Sequence, residues 1–319
     1  MSTYSVSGFA KLYELNAVKA QLAGMQERES PALRRLYDTM IRKGDTRWLT
    51  GPTTETDLDA LAQICPNFEL VVRDLKKYIA LALYGNQPFN FMPILLAGDP
   101  GVGKTHFARL LASYLKTEYQ YISMASVSAG FILSGSASTW AGAKTGKVAS
   151  ALVNGSVANP LILLDELDKA SGSHQHDPLG SLYQLFERDT AKSFVDEFLD
   201  VPLDASNVIW VGTANNLNSI PAPILSRMAV YEVPAPTSAQ AAVIVGNLYS
   251  RLLEENGWQF DPVLSDDVIS KLATVSPREM RKQILDALGS ARLSGRTAII
   301  PEDVELRART GARSIGFHS

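Results

Sequence analysis

Gly98-Asp99-Pro100-Gly101-Val102-Gly103-Lys104-Thr105 is the stretch on which the reading of this chain turns. It fits the phosphate-loop pattern, in which two glycines are separated by four residues and the second is followed by Lys and then Ser or Thr. The apolar run Pro93-Ile94-Leu95-Leu96-Ala97 leads into it and reads as a buried strand, and residues 106–115 follow with helical spacing of apolar side chains. Strand, glycine loop and helix are the context in which the pattern carries chemistry. The glycines let the backbone curl so that successive N–H groups point inward at phosphate oxygens. The start of the helix adds its positive dipole end. Gly98 through His106 are therefore the expected cradle of a nucleotide, with Lys104 reaching the β- and γ-phosphates and the Thr105 hydroxyl ligating Mg²⁺.

Working outward, Leu161-Ile162-Leu163-Leu164-Asp165-Glu166 is an apolar run ending in two carboxylates. It reads as a parallel strand buried on both faces. In open α/β sheets ligands sit at the carboxyl ends of strands, so both acids fall beside the phosphate loop. Asp165 is expected to hold Mg²⁺ and Glu166 to orient and polarise the attacking water, so that the cofactors implied are ATP and Mg²⁺. Val208-Ile209-Trp210-Val211-Gly212-Thr213 is a further strand, and Asn215 follows it. An amide there can contact a γ-phosphate or water, or simply form a turn with Asn216.

The 319 residues carry a net charge of −3 and 46% hydrophobic residues, an ordinary globular composition with room for two domains. The acidic balance does not call for nucleic acid as an obligate partner. With a single cysteine, Cys65, there is no intrachain disulfide and no cysteine zinc cluster. No apolar run is long enough to cross a bilayer, and the first residues lack a signal-peptide core, so no membrane is expected as a partner and the cytoplasm is the expected location. His174-Gln175-His176-Asp177, in a Ser-Gly loop, reads as solvated loop in preference to a metal site.

Residues 9–43 read as helical around a break at Ser30-Pro31, and Gly44 to Thr56 as a boundary loop containing Trp48. Tyr119-Gln120-Tyr121-Ile122-Ser123 and Ala229-Val230-Tyr231-Glu232-Val233 complete a set of five strands. Helical segments follow at 238–256, 265–274, 277–293 and 301–309. The expected division is a helical N-terminal extension over 1–47, an α/β domain over 48–236 and a helical domain over 237–319.

In order and spacing, these motifs resemble the AAA+ ATPases, and within them the ATPase module of Lon-type proteases. The matching stretches are Gly98 to Thr105, Thr139-Trp140-Ala-Gly-Ala-Lys-Thr-Gly-Lys147, Pro160-Leu-Ile-Leu-Leu-Asp-Glu-Leu-Asp-Lys169, Ser193-Phe-Val-Asp-Glu-Phe-Leu-Asp-Val-Pro202, Gly212-Thr-Ala-Asn-Asn216 and Ile220-Pro-Ala-Pro-Ile-Leu-Ser-Arg-Met228. The resemblance implies a P-loop AAA+ parallel five-stranded sheet flanked by helices and followed by a helical lid. It implies that Asn215 reads the γ-phosphate, that Arg227 is a finger reaching a neighbouring subunit's site, and that Arg278 brings a second sensor on the lid. Trp140 falls where the family places an aromatic that grips polypeptide in a pore. The pattern departs from Lon at Ser226, where the family has Asp before the finger arginine, and at Trp140, where it has Tyr or Phe. The chain stops soon after the lid, so proteolysis is not carried over.

The implied activity is ATP hydrolysis by a self-associating ring, a hexamer on the family pattern, that remodels or unfolds a protein partner. Two other readings compete with it. One is a nucleic-acid motor or loader using Lys144 and Lys147, against which the acidic pI weighs. The other is a nucleotide-gated scaffold recruiting partners through residues 9–43.

Overall fold

The computed structural model describes residues 4–25, 30–53, 56, 58–126, 131–137, 142–170 and 178–306. Among the described residues the strands are β1 (Val6–Lys11), β2 (Thr46–Thr50), β3 (Ile94–Ala97), β4 (Tyr119–Ser123), β5 (Leu161–Asp165), β6 (Phe194–Val195), β7 (Pro202–Leu203), β8 (Ile209–Ala214) and β9 (Ala229–Glu232). The chain divides into two compact units, Met1–Pro234 and Ala235–Ser319.

In the first unit, five strands form a parallel sheet in the order β4-β5-β8-β3-β9. All of β3 and β8 and the first four residues of β5 are buried, which is why these strands read as continuous apolar runs. Successive side chains still divide between two faces. Ile94, Leu96, Leu161, Leu163, Ile209 and Val211 join one core with Phe68, Leu75, Phe107 and Leu111, from the segments that precede and follow the phosphate loop. Leu95, Ile162, Leu164 and Trp210 join the opposite core with Val148, Leu152, Tyr37 and Met40. The sheet is thus covered on both sides, and its carboxyl ends gather at one edge of the sandwich.

The amino-terminal segment differs from its sequence reading. Residues 6–11 are a strand, not the start of a helix, and they pair antiparallel with β2 inside the stretch expected to be a loop. The apolar spacing of three from Phe9 to Leu12 is helical, but β1 ends at Lys11, so the two residues do not lie on one element. Pairing gives Phe9 a cross-strand partner instead, with the Phe9 and Trp48 rings 4.5 Å apart. The helices Leu15–Gly24 and Pro31–Lys43 then follow, the second started by Ser30, whose side chain accepts from the Leu33 N–H at 3.4 Å. The expected boundary at 47/48 falls inside β2.

Arg47 is buried at 4% exposure, and its guanidinium donates to four carbonyls, those of Gly44, Thr46, Val153 and Gly155, at 2.8–3.1 Å. Two of these lie at the carboxyl end of the helix Lys147–Asn154, where the dipole favours a cation. The β6–β7 hairpin, which the sequence reading did not anticipate, carries the fully buried Asp196. Burial pushes its carboxyl up to about 6, against the opposing pull of the backbone N–H groups of Gly146, Leu199 and Phe198.

The second unit packs the helices Ser238–Asn256, Asp266–Leu272 and Pro277–Leu293 around Val245, Tyr249, Leu252, Val268, Met280, Ile284 and Leu288. Thr237 and Gln240 form a reciprocal capping box at the first of these. Where a helix is expected over 301–309, the described residues 301–306 hold a single 3-10 turn, Pro301–Asp303, and 307–309 lie outside the described residues. Asp303 is engaged by both terminal Arg296 nitrogens, each at 2.7 Å, and accepts the Ile300 N–H at 2.9 Å at the start of that turn. No helix among the described residues is long and apolar enough to cross a membrane.

Arg47→Met leaves buried carbonyls without donors, and the unfolding free energy in urea is expected to drop by about 2–4 kcal/mol. For Asp196, the native carboxyl holds its proton more tightly than the value of 3.8 ordinary for an exposed chain, so ionisation on burial costs stability above about 6. The chain is therefore expected to gain stability relative to Asp196→Asn as pH falls through about 6, with the gain levelling off below 3.8, as read by melting temperatures across that range.

Candidate nucleotide site

The phosphate loop leaves β3 at Gly98 and enters the helix Lys104–Tyr114 at Gly103. Gly98, Gly101 and Gly103 have φ of 153°, 90° and 105°, a region that side chains rarely adopt. Gly98 also passes so near β9 that a Cβ there would meet the Val233 carbonyl oxygen at 2.4 Å. The loop is braced from outside. Asn67 donates from Nδ2 to the carbonyls of Val102 and Pro234, at 3.1 and 3.2 Å, and Phe68 stacks on Phe107 with centroids 4.3 Å apart.

Lys104 folds back over this loop. Its Nζ donates to the carbonyls of Gly98 at 2.5 Å and Asp99 at 2.9 Å, and to Asn215 Oδ1 at 2.9 Å. Lysine has no acceptor, so the amide oxygen of Asn215 must be the atom that faces it. Burial lowers the Lys104 pKa, and the carboxylates of Asp168, Asp165, Asp99 and Glu166 pull the other way.

Asp165 ends β5 and gathers hydroxyls from three elements. Its Oδ1 accepts from Thr105 at 2.8 Å and Thr213 at 2.7 Å, and its Oδ2 accepts from Tyr121 at 3.1 Å. Thr213 also accepts the Glu166 N–H at 2.9 Å, so a single hydroxyl on β8 fixes both acids. Glu166 has φ 57° and ψ 51°, a left-handed conformation that a non-glycine residue holds at a cost. Asp168 lies below, buried, and accepts the Asn215 N–H at 3.2 Å while its Oδ2 faces the Lys169 ammonium at 3.7 Å.

Lys104, Thr105, Asp165, Glu166 and Asn215 are therefore brought together in one cluster. Arg227 lies elsewhere on the same unit. Its Nε is 2.9 Å from Glu187 Oε1, its Nη1 donates to the Pro223 carbonyl at 2.6 Å, and its guanidinium stands 6.0 Å from the Tyr183 ring centre. Arg278 is exposed in the first turn of the helix Pro277–Leu293, in the second unit. Trp140, His174 and His176 lie outside the described residues. The reading from sequence missed Thr213, Tyr121, Asp168 and Glu187. For Thr213 a signal was present: a hydroxyl two residues before Asn215, at the end of an otherwise apolar run. For Glu187 there was none, because its partner is 40 positions away.

The ATPase family associated with various cellular activities (AAA) matches residues 94–234. Among curated proteins, the mitochondrial Lon protease homolog of Schizosaccharomyces pombe is 38% identical over 58% of this chain and 17% of its own length. The Lon protease of Halothermothrix orenii is 32% identical over 74% of this chain and 30% of its own length. The chain thus spans less than a third of either relative. Among solved structures, the Thermotoga maritima RuvB Holliday junction branch migration motor superposes with a TM-score of 0.50 at 17% identity, covering 74% of this chain and 66% of that one, and so shares the fold. Together with the cluster at the carboxyl ends of β3, β5 and β8, these findings show that residues 94–234 form an AAA ATPase domain, similar in sequence to part of the Lon proteases.

Proposed function

We propose that this chain hydrolyses ATP with Mg²⁺, as one subunit of a ring, and uses the hydrolysis to remodel or unfold a polypeptide. The observation that carries the reading is the hydroxyl of Thr213, which ties Asp165 and Glu166 together beside the Lys104 loop. A turn that merely bent the chain would need neither acid there.

The donor set fits the group it would hold. Thr105 and Asp165 present a hydroxyl and a carboxylate oxygen 2.8 Å apart, hard oxygens of the kind Mg²⁺ takes one or two of while keeping waters and phosphate oxygens. Bound there, Mg²⁺ supplies charge neutralisation at the β- and γ-phosphates. The loop amides and the Lys104 ammonium bind the phosphates, the ammonium exchanging its contacts with backbone carbonyls for phosphate oxygens. Asn215 loses its hold on Lys104 in that exchange, so its amide is released to read the terminal phosphate. Glu166, its backbone fixed by Thr213, orients water for in-line attack and accepts its proton.

Three roles depend on assembly or on the second unit and follow the family pattern. Arg227 reaches a neighbouring subunit's phosphates, Arg278 closes on the nucleotide with the lid, and the loop bearing Trp140 grips polypeptide in the pore.

Glu166→Gln is expected to keep ATP affinity within about threefold while lowering turnover by 10²–10⁴, roughly the worth of a positioned base. Arg227→Ala is expected to bind ATP as the parent does and to lose about 10³-fold or more in turnover. Parent-like turnover in dilute Arg227→Ala would defeat the ring. Stimulation by DNA but not by unfolded protein would replace the polypeptide reading with a nucleic-acid motor.

A further inference from the structure

Asp196 is the buried carboxylate that the nucleotide chemistry leaves unused. It is 0% exposed, and among the described residues no cation pairs with it. Its Oδ1 accepts the N–H groups of Phe198 and Leu199, at 3.1 and 3.0 Å, within its own hairpin. Its Oδ2 accepts the Gly146 N–H at 2.8 Å, from a segment 50 positions away.

Gly146 is one foot of the loop that contains Trp140, and Gly135 is the other. Both feet are built tight. A Cβ on Gly135 would meet Asp196 Oδ1 at 2.5 Å, and one on Gly146 would meet the Leu133 carbonyl oxygen at 2.2 Å. The two legs are laced just above: the Ser136 N–H donates to the Lys144 carbonyl at 3.2 Å, and the Lys144 N–H to Ser136 Oγ at 3.1 Å. The hairpin joins from its own side, with the Glu197 N–H donating to the Ser134 carbonyl at 2.7 Å. Asp196 is therefore the point where three strands of chain meet: the outgoing leg, the returning leg and the β6–β7 hairpin.

A buried carboxylate is a costly way to build a neck that apolar packing could close. What it provides is direction, since a carboxylate accepts on both oxygens at once and fixes the angle between the segments that donate to it.

We propose that Asp196 is a positioning residue that ties the described legs 134–137 and 142–146 to the β6–β7 hairpin, and so fixes where the chain leaves and re-enters the α/β unit on either side of residues 138–141. In purpose the proposal rests on the polypeptide-gripping reading of the loop bearing Trp140.

Asp196→Asn is the discriminating variant. An amide has one acceptor oxygen, so keeping the Phe198 and Leu199 bonds turns its NH₂ toward the Gly146 N–H, donor against donor. In the full-length chain, backbone hydrogen exchange over 142–148 is expected to speed up about tenfold while exchange over β8 stays unchanged. Ser136→Ala opens the neck from the loop side with Asp196 intact, and a rise of about threefold over 142–148 is expected. It decides the matter alone if Asp196→Asn does not fold. Unchanged exchange over 142–148, or an equal rise over β8, overturns the clamp.

The coupled readout is ATP turnover with and without casein as unfolded probe. Both variants are expected to keep basal turnover within about twofold and to lose roughly tenfold in casein stimulation, the scale on which small misplacements act. Parent-like stimulation in a variant whose 142–148 segment has loosened overturns the role in gripping. Casein that fails to stimulate the parent chain counts against the polypeptide reading, and the exchange measurement still decides the clamp.

Discussion

Burial of β3 on both faces is the constraint from which the nucleotide site follows. With β8 on one side and β9 on the other, Ile94 to Ala97 have no freedom to shift register without moving apolar side chains out of two cores at once. The last hydrogen bonds of that strand, Gly98 N–H to the Ala214 carbonyl at 3.2 Å and Val233 N–H to the Ala97 carbonyl at 2.7 Å, lock the loop's point of departure. Gly98 is then forced against Val233, and the chain turns into the helix that carries Lys104 and Thr105. The chemistry sits on polar residues, but their placement is set by leucines and isoleucines that touch no ligand.

A second consequence is economy in the polar network. Asp165, Glu166, Thr213 and Asn215 lie at the ends of two adjacent parallel strands, close together because strands are spaced by their hydrogen bonds, and Thr105 joins them from the helix after the neighbouring β3. Parallel strands all deliver their carboxyl ends to the same edge, so successive apolar runs ending in polar residues converge without any long-range signal in the sequence. This is why the cluster was legible early. The four-residue gap between Gly98 and Gly103, the acids after Leu164 and the amide after Ala214 each have a fixed distance from the end of an apolar run. What was not legible depends on partners far apart in sequence. The strand at Val6–Lys11 exists because Thr46–Thr50 pairs with it, and neither stretch alternates strongly enough to announce the pairing. Arg47 reads as an ordinary surface charge until four carbonyls surround it. Asp303 reads as one more helical position until Arg296 takes it.

Arg227 shows how a residue can be found by pattern and still be explained only by structure. The sequence supplies serine where relatives of the resembled type have an acid before this arginine, and the structure supplies an acid from elsewhere, Glu187, at 2.9 Å. The two side chains retain 29% and 51% of their exposure, and an ion pair so placed is worth about 0–1 kcal/mol. The Pro223 carbonyl and the Tyr183 ring add orientation rather than strong binding. A cation meant to stabilise charge on another subunit's phosphate must be held in a defined place beforehand and released at little cost. A buried, bidentate partner would satisfy the first need and defeat the second. If Arg227 serves a neighbouring subunit as proposed, Glu187 meets both needs, because the pair holds the guanidinium in place and is weak enough to part.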